Sequence, residues 1–157
     1  LGDIRERAVT MGKIADILQA RGQLDEALRI RREEELPVYQ KLGDIRERAV
    51  TMGKIADILA ARGQLDEALR IRREESLPVY QKLGARRDIL ICEWWIATYL
   101  QKRNRTGDLV EARRLAQQAY QAAVEMKLPD SKPLAELVRD LDAATTPSNP
   151  GSQSPTK

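Results

Sequence analysis

The sequence predicts an all-α fold, an α-α superhelix (solenoid) in which three helix-turn-helix repeats are followed by a C-terminal capping helix, seven helices altogether. Three observations predict it. Residues 1–41 and 42–82 align without a gap and differ at two positions only, Gln19 against Ala60 and Glu35 against Ser76. Apolar residues recur at helical spacing within each copy. The composition is rich in Ala, Leu, Glu, Arg and Gln, which favour helices. Repetition at this period indicates stacked supersecondary units.

The first helix of each repeat is predicted most clearly in the second copy. Apolar and small residues follow steps of four and three, the spacing of one helical face, at Ile45, Ala49, Met52, Ala56 and Leu59. Gly63 then supplies the left-handed conformation with which many helices end. The second helix opens with two acidic residues, where the helix dipole favours negative charge. A helical hairpin results, and it needs neighbours to bury its apolar face.

A proline interrupts the second helix in both copies. Pro37 and Pro78 fall about thirteen residues into this helix, too deep for a first-turn proline. We therefore expect a kinked, continuous helix in which Pro78 frees the carbonyl of Glu74. The kink should recur in each repeat and help to set the curvature of the superhelix. The third copy has Ala122 or Ala123 at this point, and its helix is predicted to be straight.

A third, diverged copy covers residues 83–128 and carries about three extra residues in its turn. Residues 131–144 begin with a serine cap and a proline in the first turn and place apolar residues on one face, as a helix that caps the last hairpin would. We expect residues 1–144 to form one domain. Residues 145–157 are rich in Pro, Ser and Thr, which predicts a disordered tail.

The segment ADILAARGQLDEALRI, residues 56–71, resembles the turn of a tetratricopeptide repeat (TPR). In that family a small residue, a glycine turn and an acid-acid-Ala-Leu run recur in this order. The matching residues are Ala56, Gly63, Asp66, Glu67, Ala68 and Leu69, with Ala15, Gly22, Asp25, Glu26, Ala27 and Leu28 in the first copy. The period of 41 resembles the longer variant of kinesin light chains and of many bacterial signalling proteins.

The resemblance also implies a binding surface, because the first helices of such repeats line a concave groove. Carried onto this sequence, the partner-binding residues are Lys13, Asp16, Gln19, Lys54, Asp57, Trp94, Trp95 and Thr98. Two interpretations of the charged positions remain open. Lys and Asp either bind a ligand or pair with each other three residues apart on the same helix.

Trp94 and Trp95 replace Gly53 and Lys54 of the preceding copy. Adjacent helical positions point about 100° apart, so one indole can be buried while its neighbour faces the groove. Aromatic residues are favoured anchors at interfaces. Burial of both indoles in the core of the diverged repeat is the alternative.

Catalysis finds little support in the sequence. It has no His and one Cys, and it contains no P-loop or nucleotide fingerprint. We expect no enzyme activity, no cofactor and no metal site. Cys92 lies in an apolar helix, which favours a packed thiol.

Pairs such as Arg29 with Glu33 and Arg31 with Glu35 have the spacing of surface or interhelix ion pairs. The single Cys and the lack of a signal sequence or a membrane-length apolar run predict a cytoplasmic protein without a membrane partner.

The resemblance implies a protein-protein interaction scaffold that binds a peptide or partner domain, as a fragment of a larger bacterial signalling or regulatory protein. Self-assembly through the uncapped first repeat is the alternative, since no segment of the sequence caps that end. Nucleic-acid binding ranks third. It is motivated by a net charge of +3 and by the basic cluster Lys102, Arg103 and Arg105.

Overall fold

The chain winds into helical hairpins that stack side by side in a computed structural model, which describes residues 2–146. We number the helices in chain order: α1 Gly2–Ala20, α2 24–42, α3 Ile45–Ala61, α4 65–83, α5 Arg86–Arg103, α6 Asp108–Glu125 and α7 Ser131–Thr145. No strand occurs in the described residues. The predicted all-α fold of seven helices is confirmed. Of the predicted disordered tail, residues 145–157, Thr145 belongs to α7 instead, and residues 147–157 lie outside the described residues.

Tight glycine turns join the helices. Gly63 has a φ of 82°, in the left-handed region that glycine adopts without strain. The amide of Gln64 then donates back to the carbonyl oxygen of Leu59 at 2.9 Å, which satisfies one of the last carbonyls of α3. The turn after α4 repeats this pattern, with an amide-to-carbonyl bond of 3.0 Å from Ala85 to Tyr80. The turn at Gly63 joins the two helices of one hairpin, and the turn after α4 joins that hairpin to the next.

Small residues allow the two helices of each hairpin to approach closely. One alanine from the first helix and one from the second are fully buried in every repeat, in the pairs Ala15 and Ala27, Ala56 and Ala68, and Ala97 and Ala112. Larger side chains at these positions would separate the helices. The small residues of the repeat motif therefore lie at the packing contacts within the hairpins.

The second helices of repeats 1 and 2 contain a π-helical turn just before the proline. In α4 the turn spans Arg72–Ser76, and the amide of Leu77 donates five residues back to the carbonyl of Arg72. In α2 it spans Arg31–Glu35. Both helices continue through the proline, as predicted. The kink at Pro37 and Pro78 stays a prediction, and the π turn supplies a local cause for it.

Successive repeats share one core, and α7 packs against α6 at the far end. A smaller apolar cluster lies beneath α7 and comprises Leu90, Ala119, Ala123 and Leu134. Helix α7 ends at Thr145, one residue beyond the predicted capping helix. The grouping of all repeats into a single domain stays a prediction. No helix among residues 2–146 is both long enough and apolar enough to cross a membrane.

An apolar face is exposed on the first repeat, whereas the equivalent face of the second repeat is buried. Ile14 and Ile17 on α1 are 39% and 53% exposed, whereas their equivalents Ile55 and Ile58 on α3 are 2% and 0% exposed. Helix α2 of repeat 1 covers α3. Because the two repeats are nearly identical in sequence, this difference comes from position in the stack alone.

Candidate partner-binding groove

The predicted groove residues of repeats 2 and 3 lie along α3 and α5, around two adjacent cavities. The first cavity has a volume of about 290 Å³, and its lining includes Gly53, Lys54, Asp57, Arg72 and Trp95. The second has a volume of about 360 Å³ and is lined by Ile91, Trp94, Trp95, Thr98 and Asp130. Trp95 lines both cavities and therefore forms a common wall between them.

Arg72 reaches from α4 into the wall of the first cavity, where its side chain is buried. Nη2 donates to Oδ1 of Asp57 at 2.6 Å, and Cζ lies 5.9 Å from the ring centroid of Trp95. A Cβ atom at Gly53 would lie 2.7 Å from Nη1 of Arg72, closer than non-bonded atoms approach. Glycine is therefore required at position 53 because the guanidinium occupies the space that a side chain would need.

Arg31 is the equivalent residue in repeat 1, and two carboxylates surround it. Nη2 donates to Asp16 at 2.5 Å, and Nη1 donates to Glu35 at 2.6 Å. Glu35 also accepts a hydrogen bond from the hydroxyl of Thr51 in the next repeat at 3.2 Å. The sequence left open whether Arg31 and Glu35 lie on the surface or between helices. The structure buries both side chains.

In repeat 2 the second carboxylate is absent, because Ser76 stands where repeat 1 has a glutamate. The hydroxyl of Ser76 instead donates to the carbonyl oxygen of Ala49 at 3.0 Å. Within residues 2–146, Arg72 therefore pairs with one carboxylate, that of Asp57, whereas Arg31 pairs with two. One of the two differences between the copies thus changes the charge balance around a buried arginine.

The charged groove residues connect neighbouring repeats. Nζ of Lys54 lies 3.5 Å from Oδ1 of Asp16 in the preceding repeat. Asp57 accepts a hydrogen bond from the hydroxyl of Tyr99 in the following repeat. The interpretation in which each Lys pairs with the Asp three residues on is therefore wrong for Lys54, whose ion pair is with the neighbouring repeat. Lys13 is exposed to solvent.

Burial and neighbouring charges shift the pKa values of Arg72, Tyr99 and Cys92. Burial is the largest single influence on the pKa of the Arg72 guanidinium and lowers it, but the charge of Asp57, its hydrogen bond to Arg72 and smaller contributions from Tyr99 and Cys92 together outweigh burial, so that the pKa is raised and the group stays charged. Burial raises the pKa of Tyr99, which keeps its hydroxyl a donor. Burial also raises the pKa of Cys92 to about 11. Its thiol packs against α4, at 3.6 Å from the carbonyl oxygen of Arg72, as a structural group would.

Neither tryptophan is fully buried. Trp95 is 40% exposed and lies 5.8 Å from the ring of Tyr99, measured between centroids. Trp94 is half-buried and packs against the small apolar cluster beneath α7. Both indoles line the second cavity, so the alternative in which both belong to the core alone does not describe this structure. Thr98 lines the same cavity, and Gln19 is half-buried near the end of α1.

Sequence reasoning missed Arg72 and Asp130, which line the two cavities, and Tyr99, which donates to Asp57. A signal for Arg72 was present in the repeat alignment. Where repeat 2 has Gly53 and Arg72, repeat 3 has Trp94 and Ala116, so that small and large residues exchange between the two helices. Such an exchange indicates that the two positions share space. Asp130 follows the repeats, and the alignment has no equivalent for it.

The basic cluster in the turn of repeat 3 is paired with carboxylates. Arg103 lies 2.8 Å from Asp66 and 2.7 Å from Asp108, and Arg105 lies 2.9 Å from Asp66. Nζ of Lys102 lies 3.4 Å from the carbonyl oxygen of Ala60. The free basic surface that motivated the nucleic-acid hypothesis is therefore not observed in this turn.

No protein-family model matches the chain, and no curated protein matches it. Among solved structures, the chain is similar to a crystal structure from Podosopora anserina of a protein described as a kinesin light chain with nearly identical TPR-like repeats. The two chains are 22% identical with a TM-score of 0.41, over 90% of this chain and 78% of that one. In the present structure, the repeated helical hairpins, their glycine turns and their buried alanine pairs fit a TPR-like repeat.

Proposed function

We propose that the chain is a protein-interaction scaffold whose groove along α3 and α5 binds a peptide or a partner domain. The observation that carries the proposal is Trp95, a large aromatic side chain that is 40% exposed between two cavities. Tryptophan is enriched among the residues that dominate binding energy at protein interfaces. The further expectation of a bacterial signalling or regulatory context stays a prediction from the family resemblance.

The test is selection of ligands from a random peptide library, followed by affinity measurements on variants. We expect Trp95→Ala to weaken the selected peptides by at least about tenfold, as loss of an interface anchor does. Tyr120→Ala is the matched control, because Tyr120 is 38% exposed on α6 and lines neither groove cavity. Equal effects of the two substitutions, or no selected peptide, would contradict the proposal. Thermal unfolding of each variant separates lost binding from lost structure.

Self-assembly is a second candidate, and the exposed Ile14 and Ile17 favour it. These side chains have the identity and spacing of residues that are buried at the next interface of the stack. The test is sedimentation velocity over a wide concentration range. Dimers that disappear in Ile17→Lys but persist in Val124→Lys, a control with a 50% exposed side chain on α6, would support assembly through this face. A monomer at every concentration would exclude it.

A further inference from the structure

The second groove cavity combines two indoles with one carboxylate. Trp94 and Trp95 come from α5, and Asp130 comes from the residue immediately before α7. The hydroxyl of Thr98 donates to the carbonyl oxygen of Trp94 at 3.0 Å, so it is already engaged. Within the described chain, Asp130 is the one charged residue that lines this cavity, and its charge is negative.

The carboxylate of Asp130 is incompletely paired. Its Oδ2 is buried and has no hydrogen-bond partner within residues 2–146. Nη2 of Arg87 lies 3.9 Å from it, beyond hydrogen-bond distance, on a side chain that is largely exposed. The side chain also makes no capping hydrogen bond to α7, although Asp130 occupies the position that would allow one. The Asp130 side chain as a whole is 23% exposed and lines the cavity, so its carboxylate can meet a donor from a ligand.

These properties define the ligand by its charge and shape. A cation next to an indole face is attracted by the ring quadrupole, and a carboxylate strengthens the attraction. Because Oδ2 is buried, the carboxylate does not offer both of its oxygens to a ligand. One available oxygen suits the compact charge of an ammonium group, whereas a guanidinium is best matched by both oxygens of a carboxylate. The aliphatic stem of lysine can lie against the indoles while its ammonium reaches the carboxylate of Asp130.

We propose that this cavity is a lysine-binding subsite, in which the side chain of a lysine from a partner protein lies against Trp94 and Trp95 and donates from its ammonium to the carboxylate of Asp130. The inference rests on the proposed scaffold function, because it specifies one residue of the partner. A volume of about 360 Å³ accommodates one long side chain. Arg87, whose Nη2 lies 3.9 Å from Oδ2, partly competes for the same carboxylate.

The test uses intrinsic fluorescence, because the chain has two tryptophans and both line this cavity. Nα-acetyl-lysine methylamide is titrated against the uncharged norleucine and the arginine analogues. We expect a saturable signal with the lysine probe at least tenfold tighter than with either analogue. Asp130→Asn should weaken lysine binding at least tenfold, while Asp140→Asn, an exposed control on α7, should leave it unchanged.

A second variant guards against misfolding of the first. Arg87→Ala removes the competing guanidinium, so we expect it to tighten lysine binding at least twofold, an effect that general destabilisation would not produce. Equal binding of the lysine and norleucine probes would overturn the subsite. So would arginine binding as tight as lysine binding, or full lysine affinity in Asp130→Asn.

The probe titration tests the lysine subsite, and the library selection tests the scaffold function, so the two proposals can be rejected separately. Selected peptides without an enriched lysine, together with no binding of the lysine probe, would overturn the subsite and leave the scaffold function standing. Saturable lysine binding with no selected peptide would support the subsite and contradict the scaffold function.

Discussion

At the residue scale, the pairing of Gly53 with Arg72 shows why a helix keeps a residue that weakens it. Glycine in a helix interior costs about 1 kcal/mol relative to alanine. The guanidinium of Arg72 lies where the Cβ of any other residue would be, so the repeat cannot recover that energy while it keeps the arginine. Repeat 3 has Trp94 and Ala116 instead, which places the large side chain on the other helix.

Gly53→Ala should therefore destabilise the protein, although it improves helix propensity. We expect a loss of about 1–2 kcal/mol in the free energy of unfolding, because overpacking typically costs 1–3 kcal/mol. In an Arg72→Ala background the same change should instead stabilise, since the guanidinium is gone. Urea denaturation of the four proteins measures both effects. Gly2→Ala is the control, because nothing lies within 4 Å of its Cβ. An equal cost in both backgrounds would contradict this account.

Asp108 gives a second prediction, which concerns pH. Its carboxylate accepts hydrogen bonds from Arg103 and from the amide of Arg105, and these lower its pKa from 3.8 to about 2. A carboxyl whose pKa is lowered by folding stabilises the protein above its unfolded pKa and loses that effect as the pH falls through the folded pKa. The Tm difference between the wild type and Asp108→Asn should thus be full above about pH 4 and shrink towards pH 2.

The pH series needs a control that lacks such hydrogen bonds. Asp140→Asn serves, because Asp140 makes no ion pair within the described residues. Thermal unfolding by circular dichroism between pH 7 and pH 2 measures both variants. A difference for Asp108→Asn that stays constant across this range would show that its carboxylate does not stabilise the fold through its charge.

At the element scale, the π turn explains how α2 and α4 tolerate proline. A proline inside a regular α-helix removes one amide donor and clashes with the carbonyl four residues before it. In α4 the π turn over Arg72–Ser76 lies just before Pro78. In this turn a backbone amide donates to the carbonyl five residues before it, instead of the carbonyl four residues before it as in an α-helix. The carbonyl oxygen of Arg72 also accepts a hydrogen bond from the thiol of Cys92 in the following repeat. This contact helps to hold the π turn in place.

The π turn predicts an asymmetry between two substitutions. Pro78→Ala should change the free energy of unfolding by less than about 1 kcal/mol, because the turn already relieves the clash. Ala122→Pro, at the aligned position in the regular helix α6, should cost about 3 kcal/mol or more. Urea denaturation compares them. Stabilisation of about 3 kcal/mol by Pro78→Ala would show that the proline remains strained.

At the scale of the whole molecule, repetition carried most of what the sequence could predict. Two nearly identical copies define the period, the glycines define the turns, and the apolar spacing defines the buried faces, so seven helices follow, the last of them the cap. The same pattern does not distinguish Arg29 from Arg31. Both have a Glu four residues on, yet they point roughly 200° apart on the helix. Arg29 therefore lies on the surface, while Arg31 is buried against Gly12.

The groove was less predictable than the fold, because its cavities depend on contacts between elements. Alignment placed Trp95 and Thr98 on the first helix of repeat 3, where both line the second cavity. It could not indicate Asp130, which follows the repeats and meets them only once α7 has folded onto the last hairpin. The pairing of Asp57 with Tyr99 likewise requires the stacking of two repeats. Side chains that join successive repeats are determined by the superhelix, which local spacing does not describe.

Stacking also predicts the effect of adding a repeat. A further copy of residues 1–41 placed before the chain should cover the face of α1 and bury Ile14 and Ile17, as repeat 1 buries Ile55 and Ile58. Burial of these two half-exposed side chains alone should stabilise by about 2 kcal/mol. Ile17→Lys should be nearly neutral in the present chain, where the side chain is 53% exposed, and should remove most of the gain in the extended chain. Urea denaturation of the four proteins measures this, and equal effects of Ile17→Lys in both chains would show that the new repeat does not dock on α1.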